Sequence, residues 1–200
     1  MDNRISKLRE QFDQRGFRLN DSSNTPGFPF LYSASGVRFD YVGIPTFLEE
    51  FFIFEELSRL TSPLLHRFLD DAWEWALGNE NMMPRTTELS KKAMSFVMNM
   101  AGGRTAMDSL RLDAMSARQV TCLVYVYPVA ISDRITREVM EWVWSRKSPR
   151  RQGKAAQRGL VIPVVYDSLE GEFHHFRRRP ILGNVYYTEA RKALARNLPE

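Results

Sequence analysis

The stretch that decides the fold reads Val-Thr-Cys-Leu-Val-Tyr-Val-Tyr-Pro-Val-Ala-Ile and spans residues 120–131. β-Branched and aromatic residues, which are enriched in strands, make up most of it. Its apolar residues run almost continuously instead of alternating with polar ones, which is typical of a strand with both faces covered. The stretch therefore predicts a sheet strand that is buried on both faces.

The chain after this strand predicts a strand, helix, strand unit. Ser132 is placed to cap a helix, on which Ile135, Val139 and Val143 recur on one face together with Trp142. Residues 160–166 are again continuously apolar. We therefore expect a second buried strand, joined to the first by a right-handed crossover.

Two further elements are predicted near the end of the chain. A turn at residues 168–171 leads into 172–177, which we expect to form an antiparallel strand. Residues 188–198 carry Ala190, Leu194 and Ala195 near one face, so they predict a closing helix. A sheet with both parallel and antiparallel pairs follows from this arrangement.

The chain before the central strand is interpreted as mainly helical. Residues 45–60 are apolar on nearly every side of a helix, which predicts a buried helix. A second helix is expected to begin at Pro63, with Ser62 as its N-cap, and to end at Gly78. Further helices are expected at residues 88–100 and 105–118.

The first forty residues predict a short helix followed by a strand. An amphipathic pattern over residues 3–15, ended by Gly16, predicts a helix that docks on the rest of the protein. Alternation over residues 37–41 predicts a half-buried strand, and residues 33–36 suggest a hairpin turn back to 30–32.

Together these patterns predict a mixed α/β (α+β) fold in one domain over residues 1–200. A mixed sheet with a C-terminal β-α-β region, at about 120–198, packs against an aromatic-rich helical region at about 45–118. A chain of 200 residues is within the usual size of a single domain. The one cysteine, Cys122, cannot form an internal disulfide and is expected to be buried and inert.

Membrane insertion and secretion are not expected from this sequence. Charged residues occupy the first twenty positions too densely for a signal-peptide core. No apolar stretch elsewhere approaches the ~18 residues that a membrane span requires. We therefore expect a cytoplasmic protein that does not enter a membrane.

Positive charge is concentrated in the second half of the chain. Residues 101–200 carry 17 Lys and Arg against 10 Asp and Glu, an excess of seven, although the whole chain has a net charge of only +4. Residues 146–158 contain six cations and no acid, with glycine and proline between them, and predict an exposed flexible loop. The candidate binding cations are Arg104, Arg146, Lys147, Arg150, Arg151, Lys154, Arg158, Arg177, Arg178 and Arg179.

Three interpretations of these cations remain open. They can be solvated linkers that keep the chain soluble, a surface for an acidic protein partner, or a surface for nucleic acid. No helix-turn-helix, zinc-finger or RNP-type pattern supports nucleic acid. Gly102, Gly103 and Arg104 could hold an anion before a helix, but the Lys-Ser/Thr ending of a P-loop is missing and a glycine helix cap explains the same residues.

Catalytic and metal-binding patterns are weak. Glu172 and His174 would share one face of a strand, but no second group of ligands stands out, so no metal and no cofactor is predicted. There is no Gly-x-Ser-x-Gly motif, and Cys122 lies among apolar neighbours that do not activate a thiol. The sequence therefore identifies no catalytic residue.

The tryptophans form two pairs spaced two residues apart. If Trp73 and Trp142 face the core, Trp75 and Trp144 point elsewhere, either into other contacts within the chain or toward a partner. The favoured function is a non-catalytic binding or adaptor protein that docks an acidic partner through the basic loop and these tryptophans. The alternative is an enzyme or nucleic-acid-associated factor that acts on a phosphate-bearing substrate.

Overall fold

The computed structural model describes residues 3–41, 45–79, 121–145, 147–152, 158–177 and 184–198. Four helices and eight strands lie within these ranges. In chain order they are α1 (Asn3–Gln14), β1 (Arg18–Asn20), β2 (Tyr32–Tyr41), β3 (Pro45–Glu56), α2 (Ser62–Gly78), β4 (Thr121–Ser132), α3 (Arg137–Trp144), β5 (Arg150–Gln152), β6 (Arg158–Val161), β7 (Val164–Asp167), β8 (Glu172–His174) and α4 (Asn184–Asn197).

One mixed sheet contains all eight strands. Its order is β1-β2-β3-β4-β6-β5, and β7 pairs with the second half of β4 while β8 pairs with β7. The pairs β3–β4, β4–β6 and β4–β7 are parallel, whereas the other pairs are antiparallel. The predicted mixed α/β fold is confirmed.

Strand β4 is the centre of this sheet and is covered on both faces, as predicted. Leu123, Tyr125 and Tyr127 belong to the core on one face. Val124 and Val126 belong to the core on the other face, because successive side chains of a strand point in opposite directions. Each of these five side chains is buried.

The strand, helix, strand unit is also confirmed, with two local corrections. Helix α3 begins after Thr136 and not after Ser132, whose hydroxyl instead accepts a hydrogen bond of 3.2 Å from the backbone N–H of Arg134. The strand expected at 160–166 is divided into β6 and β7 by Ile162 and Pro163, because proline has no N–H to donate to the ladder.

The helix expected at residues 45–60 is wrong, since this segment forms strand β3. It pairs in parallel with β4 from Thr46 opposite Thr121 to Glu56 opposite Ile131. An apolar run that is buried on both faces has no alternation, so it looks the same in sequence as a buried helix. The aromatic and β-branched residues of the run are compatible with the strand that the neighbouring β4 stabilises.

The hairpin turn expected at residues 33–36 is wrong as well. These residues lie within the continuous strand β2, where Ser33 to Ser35 pair with β1 on one side and with β3 on the other. Helix α1, by contrast, is confirmed, and it is followed by Gly16 at a φ of +78°, a backbone conformation that glycine adopts without strain.

Helix α2 is confirmed, although its N-cap is Thr61 and Ser62 is its first residue. Within the predicted helical region 45–118, α2 is the helix that lies among the described residues. The helices expected at residues 88–100 and 105–118 lie outside the described residues. The closing helix is confirmed as α4, which begins at Asn184, four residues earlier than expected.

The helices divide between the two faces of the sheet. One face, here called the α1–α4 face, buries Ile5, Leu8 and Phe12 of α1 with Ala190 and Leu194 of α4. The opposite face, the α2–α3 face, is packed under α2 and α3 through apolar side chains that include Leu65, Phe68, Leu69, Val139 and Val143. This sheet and its helices position the candidate functional sites.

Candidate basic surface and arginine pocket

The structure changes the interpretation of the basic segment at residues 146–158. Lys147 is exposed, but Ser148 and Pro149 are buried and the next three residues form β5. The Ser148 hydroxyl donates a hydrogen bond of 2.6 Å to the carbonyl of Val143 at the end of α3. The prediction of an exposed loop is therefore wrong at Ser148 and Pro149, which are buried, and at residues 150–152, which form β5, while residues 153–157 lie outside the described residues.

Two basic clusters that are distant in the sequence meet at the end of α3. The guanidinium carbon of Arg177 lies 3.7 Å from the ring centroid of Trp144. The backbone N–H of Arg177 also donates to the carbonyl of Trp144 over 3.3 Å. The ring of His174 lies against the same tryptophan, with 5.9 Å between centroids. The segment after β8 is thereby attached to α3.

Strands β5 and β8 bring the same clusters to one edge of the sheet. β5 pairs with β6 and β8 pairs with β7, while β6 and β7 both border β4. Arg150 lies opposite Val161 at the end of β6, and His174 lies opposite Val165 near the start of β7. We call Trp144, Lys147 and Arg177, together with β5, the basic surface.

Not every predicted cation is placed by the structure. Arg151 lies opposite Leu160 in the β5–β6 pair, and Arg158 lies opposite Leu123 in the β4–β6 pair. The other predicted cations lie outside the described residues, and these are Arg104, Arg146, Lys154, Arg178 and Arg179.

The two tryptophans proposed as partner contacts have different surroundings. Trp75 is half-buried and packs edge-on against Phe28, Phe30 and Phe51, with centroid distances of 5.3, 6.2 and 6.2 Å. Its environment is that of the rim of the core. Trp144 is half-buried beneath an exposed arginine, so of the two it is the one that belongs to a charged surface.

A second charged region lies on the α1–α4 face, and sequence reasoning missed it. Glu50, in the middle of β3, has a side chain that is only 4% exposed, and Arg38 donates to it from its Nε over 3.1 Å. Arg38 also approaches Glu189 of α4 at 3.6 Å. The sequence did contain one signal, the pair Glu49-Glu50 within an aromatic run. Because side chains alternate along a strand, one of these acids is buried on each covered face.

A pocket of about 400 Å³ opens beside Glu50 and is here called the arginine pocket. Its lining comes from the turn after α1, from β2, β3 and α4, and consists of Arg15, Phe17, Gly36, Val37, Arg38, Glu50, Arg196 and Asn197. Among these, Arg15 donates to the backbone carbonyl of Arg196 and, over 3.1 Å, to the side-chain oxygen of Asn197. The pocket therefore combines three arginines, one from the turn after α1, one from β2 and one from α4.

A larger cleft of about 630 Å³ lies where the parallel strands β3 and β4 end. Ligands of open α/β sheets commonly bind at this edge. The cleft is lined by apolar side chains such as Ile5 and by Glu56, Asp133 and Arg134, all three of which are exposed. Its charges have both signs, which gives no preference for one class of ligand.

The weak metal candidate gains no further ligands in the described part of the chain. Glu172 and His174 both lie in β8, but no group of three or more His, Cys, Asp or Glu that could hold a metal occurs there. Burial lowers the pKa of His174, and that of its neighbour His175, which favours their neutral forms. The side chain of Cys122 and the residues around Gly102 lie outside what the structure describes.

Comparison with known proteins gives no family for this chain. No protein-family model matches it, and no curated protein or solved structure is significantly similar to it. Within the described ranges, no helix is both long and apolar enough to span a membrane. The fold defines the class as a mixed α/β protein, and its function has to be argued from the two charged regions.

Proposed function

We propose that this protein is a non-catalytic binding or adaptor protein that docks an acidic protein partner through its basic surface. The observation that carries the proposal is the contact between Arg177 and Trp144, which places a cation of the second basic cluster beside the start of the first. A cytoplasmic setting remains part of the proposal.

The contact with Trp144 makes Arg177 suitable for docking. A guanidinium over an indole face is attracted by the ring, by roughly 0.5–1 kcal/mol at an exposed site. The side chain thus loses less conformational freedom when a partner binds, while its donors stay accessible because Arg177 is exposed. Lys147, three residues after Trp144, is exposed as well and adds a second cation.

An acidic protein suits this surface better than a nucleic acid does. The surface has an arginine and a tryptophan at its centre, and these residue types are enriched where protein interfaces gain most of their affinity. Base stacking on single strands requires exposed aromatic faces, whereas one face of Trp144 is covered by Arg177. The alternative, a phosphate-bearing substrate or nucleic acid, is an outcome of the test below.

The test measures the association of a fluorescent deca-glutamate peptide by stopped flow at low and high salt. The double variant Lys147→Gln/Arg177→Gln removes two charges of the basic surface. We expect its association rate constant to fall roughly three- to tenfold at low salt, because exposed charges steer encounter. The matched control is Arg134→Gln/Arg137→Gln, which removes two cations before and at the start of α3, and we expect less than a twofold change.

Trp144→Leu adds a second arm, since it keeps both charges but removes the ring that holds Arg177. We expect weaker peptide binding than in the control, with thermal melting used to confirm that the variant is folded. Equal rates in all variants, or no binding of the peptide by the parent protein, would contradict the proposal. A duplex DNA probe whose log affinity falls with log salt at a slope of about −0.9 per phosphate contact would favour the nucleic-acid alternative instead.

A further inference from the structure

The arginine pocket is a second site, separate from the basic surface and on the α1–α4 face of the sheet. It is bounded by β2, β3, α4 and the turn after α1, so most of its lining residues are positioned by regular elements. Its volume of about 400 Å³ is within the range of small-molecule sites. The side chains that line the pocket therefore indicate which class of ligand it can bind.

Glu50 is the buried acid at the centre of the charge network in this pocket. A carboxylate with 4% side-chain exposure requires a counter-charge, and Arg38 supplies it at 3.1 Å. Glu189, whose side chain is 10% exposed, approaches Arg38 and also accepts from Lys192 over 2.7 Å. The two acids thus orient the cations around them.

The cations in this network outnumber the acids. Among the described residues it contains Arg15, Arg38, Lys192 and Arg196 against Glu50 and Glu189, which leaves two positive charges in excess. Water screens the charge of Arg38 only in part, since its side chain is 20% exposed, whereas it screens Arg196 and Lys192 more, at 51% and 62%. A ligand that carries two negative charges would balance it.

Arg196 is the cation best placed to meet such a ligand. Its guanidinium lies 3.9 Å from Glu50, beyond hydrogen-bond length, and its side chain is 51% exposed. Arg15, whose side chain bonds to the end of α4, lines the same pocket. Guanidinium groups match the geometry of phosphate oxygens and form strong charge-assisted hydrogen bonds to them.

One part of the pocket is apolar. Phe17 and Val37 line it, and Val37 is 49% exposed, so its side chain is accessible to a ligand. Gly36 permits this arrangement because a Cβ at its position would lie 3.0 Å from the ring of Phe17. A ligand that fills the pocket therefore has an anionic end and an apolar or aromatic end.

We propose that the arginine pocket binds a small phosphate monoester, with the phosphate at Arg15, Arg38 and Arg196 and its organic group against Phe17 and Val37. A dianionic phosphate balances the two excess charges, whereas a carboxylate balances only one. The carboxylate of Glu50 stays paired with Arg38 and fixes that guanidinium for the ligand.

The experiment is a calorimetric titration with phenyl phosphate at pH 8, where its phosphate is a dianion, with benzoate as the comparison ligand. We expect phenyl phosphate to bind at least tenfold more tightly than benzoate. Arg196→Gln and Arg15→Gln should each weaken phenyl phosphate binding roughly tenfold, as expected for the loss of a charged hydrogen bond. The matched control is Arg191→Gln on the same helix, outside the pocket lining, with an expected change below threefold.

Val37→Asp provides an arm that does not depend on removing an arginine. It places a carboxylate at an exposed position of the pocket, so the fold should persist while phenyl phosphate binding is lost. Circular dichroism and thermal melting check the fold of every variant. The proposal is overturned if phenyl phosphate does not bind the parent protein, if benzoate binds equally well, or if Arg15→Gln, Arg196→Gln and Val37→Asp all bind like Arg191→Gln.

Discussion

The two faces of the central sheet are built by different physical means. On the α2–α3 face, Trp73 of α2 covers Gly159 of β6 so closely that a Cβ at that glycine would overlap the indole ring. On the α1–α4 face, the strands carry Arg38 and Glu50 among aromatic side chains, and a pocket opens beside them. The α2–α3 face is closely packed around Trp73, although Glu49 is buried there too, whereas a pocket opens beside the buried charges of the α1–α4 face.

This difference indicates which face can serve a ligand. Adding or removing an atom in a tightly packed apolar face lowers the free energy of unfolding, so such a face mainly stabilises the fold. Buried charges cost desolvation free energy and contribute less to stability than apolar packing of the same volume, so their retention calls for another role. The four predictions below test this contrast, from the largest expected effect to the smallest.

Gly159→Ala should have the largest effect, because the added methyl group has no space beneath Trp73. Overpacking of a core costs roughly 1–3 kcal/mol, and we expect the upper part of this range because Trp73 is itself buried. Urea unfolding followed by fluorescence measures the loss. Gly78→Ala is the matched control, since a Cβ there meets nothing within 4 Å, and a loss of equal size in both variants would contradict the close packing.

Glu50→Gln should lower the free energy of unfolding by about 2 kcal/mol, because it removes the charge that Arg38 pairs with in a buried setting. A double-mutant cycle with Arg38→Gln isolates this pair from the other contacts of both residues. The same cycle on Arg137 and Glu141, an exposed pair at 2.7 Å, should give a coupling of no more than about 0.5 kcal/mol. Equal couplings would remove the distinction between buried and exposed charges.

Ser148→Ala should cost about 1 kcal/mol, since it deprives the carbonyl of Val143 of a donor at a buried position. Amide exchange should also become faster across residues 147–152, which this hydroxyl connects to α3. Ser58→Ala, at an exposed position, is the control and should be neutral. Unchanged exchange across 147–152 in Ser148→Ala would show that the β5–β6 pairing alone orders the segment.

The smallest effect is expected from pH on His174 and His175, which stand at the end of β8 and directly after it. Burial lowers the pKa of His175 below the usual histidine value of about 6.5, so the unfolded chain takes up a proton at a higher pH than the folded protein does. The free energy of unfolding should therefore fall as the pH drops below about 6.5. His175→Gln should reduce this fall between pH 7 and pH 5, as measured by urea unfolding at several pH values.

His174 must be varied in the same experiment, because burial lowers its pKa too. His174→Gln should also reduce the fall, since burial lowers the pKa of His174 although Glu172 and Asp167 act against this lowering. An unchanged pH dependence in the double variant would mean that these two side chains do not contribute to it.

Much of the C-terminal half was predictable because its patterns are local. The central strand β4, helix α3 and the parallel return at β6 and β7 each carry an apolar pattern of the right length. Strand β3 was not predictable in this way. Its run of aromatic residues satisfies a helix and a buried strand equally, and the pairing partner that decides between them begins 65 residues later, at Thr121.

The two candidate sites also differ in how far the sequence predicted them. The sequence identified Lys147, Arg177 and Trp144 as candidates through charge density and tryptophan spacing, but not that two of them are in contact. Apart from the acids at 49 and 50 and the cations Arg191, Lys192 and Arg196 of the last helix, the arginine pocket had no sequence signal, because Arg15 and Arg38 come from distant segments. Only pairing of β2 with β3 and docking of α4 bring Arg38 and Arg196 to Glu50.

By itself, the sequence determined the class of fold, the excess of positive charge in the second half and the position of the central strand. These properties follow from composition and from periodicity over a few residues, which short segments carry on their own. The tertiary structure alone decided that residues 45–56 form a strand, that Arg177 lies on Trp144, and that three distant arginines share one pocket. These outcomes depend on contacts between segments far apart in the chain, whose free energy no local pattern records.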